Sequence, residues 1–179
     1  MRNPSGDILV FMMRGFFRAA SLAVVTVVPA AFAQNPTDPP PGQQVILTVL
    51  GRGVQIYSCQ QVGGAMQWVF QAPEATLYDT ESAKVGTHGA GPVWVYKDGS
   101  SVKGEVLQKS AAPEPGAIPW LLLKSTGKEG YGLLTKVEFI RRSATHGGVA
   151  SAVGCDADHL NTTSRIPYTA NYTFYSSKP

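Results

Sequence analysis

The alternation of side chains along residues 168–175 is the feature that most constrains how this chain can fold. Tyr168, Ala170, Tyr172 and Phe174 share one face of an extended segment, and the residues between them share the other. A period of two is typical of a β-strand that buries one face. No long stretch of the chain has the apolar repeat of about 3.6 residues that an amphipathic helix shows. We therefore predict an all-β protein.

Further segments of β character are separated by stretches rich in glycine and proline. Strands are expected over residues 44–50, 54–59, 66–72, 92–97, 101–108, 118–124 and 132–141. In the last of these, Leu133, Val137 and Phe139 are predicted to share one face. About eight strands in one domain indicate an antiparallel β-sandwich or a small β-barrel, and both architectures remain open at this point.

Two glycine-containing segments are predicted to be turns. Gly51-Arg52-Gly53 is expected to reverse the chain after the strand at 44–50. Asp98-Gly99-Ser100 is expected to form a tight hairpin, because glycine tolerates a positive φ. A short helix over residues 72–78 is a further hypothesis, although Pro73 suits the start of a turn equally well.

The first 33 residues are predicted to be a secretory signal peptide. Arg14 and Arg18 precede an apolar run at 19–28, and Ala31-Phe32-Ala33 follows as a cleavage site of small residues. The run is shorter than the roughly 20 apolar residues that span a bilayer. We therefore expect export to the periplasm or the exterior, with no membrane span after cleavage. A retained anchor is the alternative.

The remaining chain is predicted to form one domain at 44–179, preceded by a proline-rich extended segment at 34–43. Residues 34–179 hold 12 Lys and Arg against 11 Asp and Glu. Beyond Arg141-Arg142 this region has no basic cluster, so nucleic-acid binding is not predicted. Cys59 and Cys155 are its two cysteines. In an exported protein an isolated pair predicts one disulfide, and a reactive or metal-binding thiol is the competing interpretation.

A series of uncommon short motifs runs along nearly the whole exported region. They are PPG at 40–42, GVQIYSC at 53–59, WVFQAPEA at 68–75, VGTH at 85–88, GPVW at 91–94, DGS at 98–100, IPWLLL at 118–123, GG at 147–148, Cys155 and PYTANY at 167–172. In this order they resemble the secreted bacterial and fungal family called domain of unknown function 3455. The resemblance implies no established activity.

His88 is the first candidate for chemistry, because three glycines and a proline surround it in Gly86–Val93. A histidine can act as an acid, a base or a ligand near neutral pH. Asp98 and Glu74 are the carboxylates that could assist it as catalytic partners. The simpler interpretations are a loop histidine bonded to a carbonyl, a turn aspartate and a helix-capping glutamate. No metal site is predicted, since three scattered histidines do not provide three or four ligands.

Several large aromatic side chains form the second candidate site. Trp94, Tyr96 and Trp120, with His88, are predicted to line a binding site for a small aromatic, sugar-like or apolar ligand. Core packing is the alternative, because aromatic side chains dominate small β cores. If Val93 and Val95 were buried, Trp94 and Tyr96 would face outward together as a binding platform.

The leading functional hypothesis is a non-enzymatic, ligand-binding or envelope-associated module without a cofactor. No G-x-S-x-G, H-E-x-x-H or phosphate-binding motif is present. The alternatives are a small β-barrel isomerase or hydrolase with His88 as general base, and a purely structural secreted protein.

Overall fold

The computed structural model describes residues 35–179, so the predicted signal peptide lies outside the described residues. Eight strands, each antiparallel to its neighbours, form one closed barrel in which the last strand pairs with the first. The strands are β1 Gln43–Val62, β2 Ala65–Tyr78, β3 Lys84–Gly89, β4 Val93–Tyr96, β5 Ser101–Ser110, β6 Trp120–Glu129, β7 Phe139–Gly147 and β8 Thr163–Ser177. The all-β prediction is confirmed, and the architecture is the barrel.

The alternation in β8 is confirmed by burial. Tyr168, Ala170, Tyr172 and Phe174 all point into the barrel and are fully or almost fully buried. Removing large apolar side chains from water is the main favourable contribution to folding. All four side chains belong to the hydrophobic core of the barrel, and β8 pairs with β1 on one side and with β7 on the other.

The predicted turn at Gly51-Arg52-Gly53 is wrong, because β1 runs through it without a break. The two glycines allow close packing instead of a chain reversal. A Cβ atom at Gly53 would lie 2.0 Å from the Glu74 carbonyl oxygen on β2. A Cβ atom at Gly51 would lie 2.6 Å from the Tyr172 ring. Glycine inside a strand often marks such a close approach.

The helix considered at 72–78 is also wrong, since this segment belongs to β2. The pairing between β1 and β2 shifts at Ile56/Tyr57, where Ile56 pairs with Ala72 and Tyr57 with Phe70. Gln71 is therefore the extra residue of a β-bulge. A proline is tolerated in a strand next to such an irregularity, and Pro73 lies two residues further on.

The single strand predicted at 132–141 is divided in two. Leu133–Lys136 form a 3₁₀ helix, and β7 begins only at Phe139. The fully buried side chains are Leu134, Val137 and Ile140, so the inward positions recur every three residues rather than every two. Of the predicted face, Val137 is buried, whereas Leu133 and Phe139 are only partly buried, because the 3₁₀ helix at this end of the barrel interrupts the alternation.

The hairpin at Asp98-Gly99-Ser100 is confirmed. Gly99 has a φ of 85° and its N–H donates to the Tyr96 carbonyl at 3.0 Å. This β4–β5 turn contacts the 3₁₀ helix, because the Leu133 N–H donates to Asp98 Oδ2 at 2.7 Å. The turn and the helix therefore build the closed end of the barrel together.

The disulfide is confirmed between Cys59 on β1 and Cys155 in the β7–β8 loop, with 5.3 Å between the Cα atoms. The same loop is held by the Tyr57 hydroxyl, which donates to the Gly148 carbonyl at 2.7 Å. Trp68 Nε1 donates to the Val153 carbonyl at 3.2 Å. The long loop is thus fastened beside the opposite end of the barrel.

The proline-rich segment before β1 lies against the outer wall. Asp38 forms an ion pair of 3.0 Å with Arg141 on β7, and Thr37 is fully buried. Leu122, which points outward from β6, is also buried and lies beside this segment. Within residues 35–179, none of the helical segments has the length and hydropathy to span a bilayer.

Candidate functional site

A cavity of about 530 Å³ opens at the end of the barrel opposite the 3₁₀ helix. It is bordered by the β3–β4 turn at Gly91 and Pro92, and by Pro119 in front of β6. Aromatic and aliphatic side chains from β2, β4, β5 and β6 form most of its wall: Phe70, Trp94, Val106, Leu121 and Leu123. Phe70 and Val106 are each 49% exposed and lie at its mouth.

A stack of rings forms one side of the cavity. His88 on β3 and Trp94 on β4 are directly paired in the sheet and both point inward. Their rings are parallel within 5°, with centroids 4.2 Å apart. The Tyr172 ring meets the imidazole edge-on at a centroid distance of 5.0 Å. Stacked and T-shaped aromatic pairs of this kind are favourable contacts that stabilise the packing of the rings.

The protonation of His88 follows from its surroundings. Its Nδ1 lies 2.9 Å from the Val93 carbonyl oxygen. A carbonyl only accepts hydrogen bonds, so Nδ1 carries the proton and Nε2 keeps its lone pair. Burial lowers the His88 pKa from 6.5 to about 4, the Val93 bond opposes this shift, and the Arg142 charge adds to it. The ring is therefore neutral at pH 7.

Arg142 on β7 brings a positive charge into the cavity. Its Nε and Nη2 donate to the Pro119 carbonyl at 3.0 and 2.8 Å. Burial lowers the Arg142 pKa, and the neighbouring Tyr172 and Tyr168 oppose that shift. A guanidinium nevertheless remains charged in proteins. No carboxylate among residues 35–179 forms an ion pair with Arg142.

Neutral polar groups surround this charge. The hydroxyl oxygens of Tyr168 and Tyr172 are 3.0 Å apart. Burial raises the pKa of both hydroxyls, and also that of Tyr57, so none of them supplies a negative charge at pH 7. The buried Gln55 side chain also lines the cavity, and its Nε2 has no acceptor among the described residues.

The two carboxylates considered as catalytic partners do not reach His88. Glu74 points outward from β2 and forms an ion pair of 2.8 Å with Arg165. Asp98 lies at the closed end, where its Oδ1 accepts from the Ser100 hydroxyl at 2.6 Å. These bonds and the Leu133 N–H lower the Asp98 pKa. Within the described residues, no group of three His, Cys, Asp or Glu side chains is arranged to hold a metal ion.

The predicted aromatic residues separate into three locations. Trp94 lines the cavity beside His88, which lies in β3 rather than in a loop. Tyr96 points inward as well but packs against the core nearer the closed end. Trp120 lies on the outer face of β6, where Arg141 covers its ring at 5.5 Å. Trp94 and Tyr96 therefore do not form an outward platform.

Sequence reasoning missed Arg142, Gln55 and Tyr172 as cavity residues. The signal for Arg142 was present in the alternation of β7, because a strand that buries Ile140 also directs Arg142 inward. Placing Phe139 on the inner face concealed it. Gln55 lies four residues before the inward-facing Cys59 and therefore shares its face of β1. This relation could be inferred only with β1 as one continuous strand, and the predicted turn at residues 51–53 had divided it.

Comparison with known proteins identifies the family of this chain. The family model described as "Protein of unknown function (DUF3455)" matches residues 40–176, a span that includes seven whole strands and nearly all of β8. No curated protein and no solved structure matches the chain. The match covers well over half of the sequence, so the chain belongs to the DUF3455 family, as the sequence resemblance predicted.

Proposed function

We propose that this protein is an exported, non-enzymatic binding module that takes a small, largely apolar ligand into the open end of its barrel. The observation that carries this proposal is the cavity of about 530 Å³ with aromatic and aliphatic walls. Small-molecule sites are typically concave, mostly apolar and about 300–1,000 Å³ in volume. The stacked rings of His88 and Trp94 are part of the lining of this cavity.

The surroundings of His88 favour binding over catalysis. A general base works best when its pKa lies near the operating pH. The pKa of His88 is about 4, and its Nδ1 is already engaged with the Val93 carbonyl. Glu74 and Asp98, the carboxylates that could orient or activate it, have other partners. His88 therefore serves the proposed site as a neutral, stacked wall residue.

The disulfide supports the exported location. Disulfides form and persist in oxidising compartments and are rare in the reducing cytosol. The Cys59–Cys155 bond fastens the long β7–β8 loop, and Tyr57 of β1 connects that loop to the cavity wall. An oxidising compartment would thus also preserve the shape of the cavity mouth.

The proposal is tested with a neutral fluorescent probe, N-phenyl-1-naphthylamine, which brightens in an apolar site. The protein is purified from an oxidising compartment and titrated with the probe. We expect the fluorescence to rise to saturation. We also expect Val106→Trp to weaken the affinity for the probe by about tenfold or more, because the larger side chain fills the cavity mouth. Val95→Trp is the matched control, since Val95 is 42% exposed but lies on the outer face of β4.

Two results would contradict the proposal. One is the absence of saturable brightening with the unaltered protein. The other is an equal effect of Val106→Trp and Val95→Trp, which would place the probe outside the barrel. Either result would favour a purely structural role for the protein.

A further inference from the structure

The charged residues around the cavity are all of one sign. Arg142 lies inside it, and Lys109 of β5 lies at its mouth. Neither an Asp nor a Glu side chain lines the cavity among residues 35–179. The neighbouring Arg141 makes an ion pair, but on the outer wall with Asp38. The cavity thus has a positive potential that its own side chains leave uncompensated.

An unpaired charge that is largely removed from water is costly, and the polar groups near the partly buried Arg142 do not remove this cost. The hydroxyls of Tyr168 and Tyr172 are dipoles rather than counterions. The Pro119 carbonyl accepts from Nε and Nη2 of the guanidinium, and the Tyr172 hydroxyl is a second neutral neighbour of this group. Gln55 Nε2 is a further buried donor without a partner. Among the described residues, the groups around Arg142 are thus neutral, and none supplies the negative charge that would compensate the guanidinium.

We propose that the ligand is a monocarboxylic acid with an apolar body, whose carboxylate binds Arg142 inside the barrel while its body lies along the apolar wall of the cavity. This inference rests on the proposed function, since it names the class of ligand for the same cavity. An acceptor with a single negative charge would match one guanidinium. Carboxylates are favoured partners because the planar guanidinium can present two parallel N–H groups to them.

The apolar lining of the cavity indicates that the part of the ligand beyond its carboxylate is apolar. A dianion such as a phosphate monoester would need several more donors around the charge. Leu121 is the residue paired with Arg142 in the sheet, and Ile118 and Trp94 also line the cavity. An aryl or alkyl acid would pair its charge and bury its body at the same time.

The first test compares two ligands on the unaltered protein. Phenylbutyrate and its neutral amide, phenylbutyramide, have the same shape and differ in charge. Both are assayed by displacement of N-phenyl-1-naphthylamine. We expect the acid to bind at least about tenfold more tightly than the amide, because a hydrogen bond to a charged group is worth more than a neutral one. This comparison requires no substitution and therefore does not depend on the folding of a variant.

The second test assigns the effect to one side chain. Arg142→Met keeps an unbranched, apolar side-chain stem but removes the guanidinium and its charge, and Arg141→Met is the matched control on the outer wall. We expect Arg142→Met to weaken binding of the acid by about tenfold or more and to change binding of the amide by less than about threefold. Arg141→Met is expected to change neither.

The outcomes separate this inference from the proposed function. Equal affinity of the acid and the amide, or equal losses of both in Arg142→Met, would overturn the monocarboxylate inference while binding itself stands. Displacement by neither ligand, together with no probe binding, would overturn both. A loss of acid binding in Arg141→Met equal to that in Arg142→Met would place the anion on the outer wall and also refute the inference.

Discussion

The buried His88 makes the stability of this protein depend on pH in a calculable way. In the unfolded chain the imidazole has its ordinary pKa of 6.5, whereas burial in the fold lowers the pKa to about 4. Above 6.5 both states are neutral and His88 contributes no pH dependence. As the pH falls below 6.5, the unfolded state takes up a proton that the folded state excludes, so the free energy of unfolding decreases.

The size of the decrease follows from these two values. Each unit by which the His88 pKa is lower in the folded than in the unfolded state reduces the free energy of unfolding by up to about 1.4 kcal/mol at low pH. At about pH 5 the cost is about 2 kcal/mol, and below about pH 4 it levels off at about 3 kcal/mol. This is a large share of the roughly 5–15 kcal/mol that stabilises an ordinary domain.

Urea denaturation followed by circular dichroism at several values between about pH 7 and pH 5 measures this effect. The comparison is with His88→Gln, which has no titrating group at this position. We expect the free energy of unfolding to fall about 2 kcal/mol further in the unaltered protein than in the variant. His146 and His159 are present in both proteins, so their contributions cancel in the difference.

Parallel pH profiles for the two proteins would refute the reasoning. They would mean that His88 is as easily protonated in the folded barrel as in the unfolded chain. The stack on Trp94 and the bond from Nδ1 to Val93 would then fail to exclude the charged ring. A lower overall stability of His88→Gln would not affect this test, because only the slope against pH is compared.

Two further predictions concern the scaffold. Gly53→Ala is expected to destabilise the barrel by about 1–3 kcal/mol, since the new Cβ atom would clash with the Glu74 carbonyl oxygen. Gly127→Ala is the control, because a Cβ atom fits there and should change the urea midpoint little. Equal urea midpoints for the two variants would contradict this packing. Cys155→Ser is expected to cost about 4 kcal/mol, because the disulfide closes a long loop, and a midpoint that is the same with and without a reducing agent would contradict it.

The sequence predicted the fold class better than the course of individual strands. Alternation identified β8 and its inner face, because side chains in a strand point alternately to opposite sides. It failed at Gly51 to Gly53, where the same residue type that builds turns also permits close packing. It failed again at 132–141, where closing the barrel end required a 3₁₀ helix.

For the candidate site, sequence reasoning found His88 and Trp94 but grouped them with Trp120. Trp94 and Trp120 are equally aromatic, and only the pairing register of their strands separates an inward from an outward position. Arg142 was not selected, although it lies beside Arg141 in the sequence. Adjacent residues in a strand face opposite sides of the wall, so one arginine binds Asp38 outside and the other enters the cavity.

The sequence alone predicted that this chain forms β-strands, that Asp98 to Ser100 make a hairpin and, as the leading interpretation, that Cys59 and Cys155 are paired. Each of these depends on short-range chemistry or on the presence of two cysteines. Only the tertiary structure decided that β1 and β8 meet, which closes the sheet into a barrel. Because the sheet closes, the inward side chains of all strands face one another, and the partly buried Arg142 lies among apolar walls in a candidate binding site.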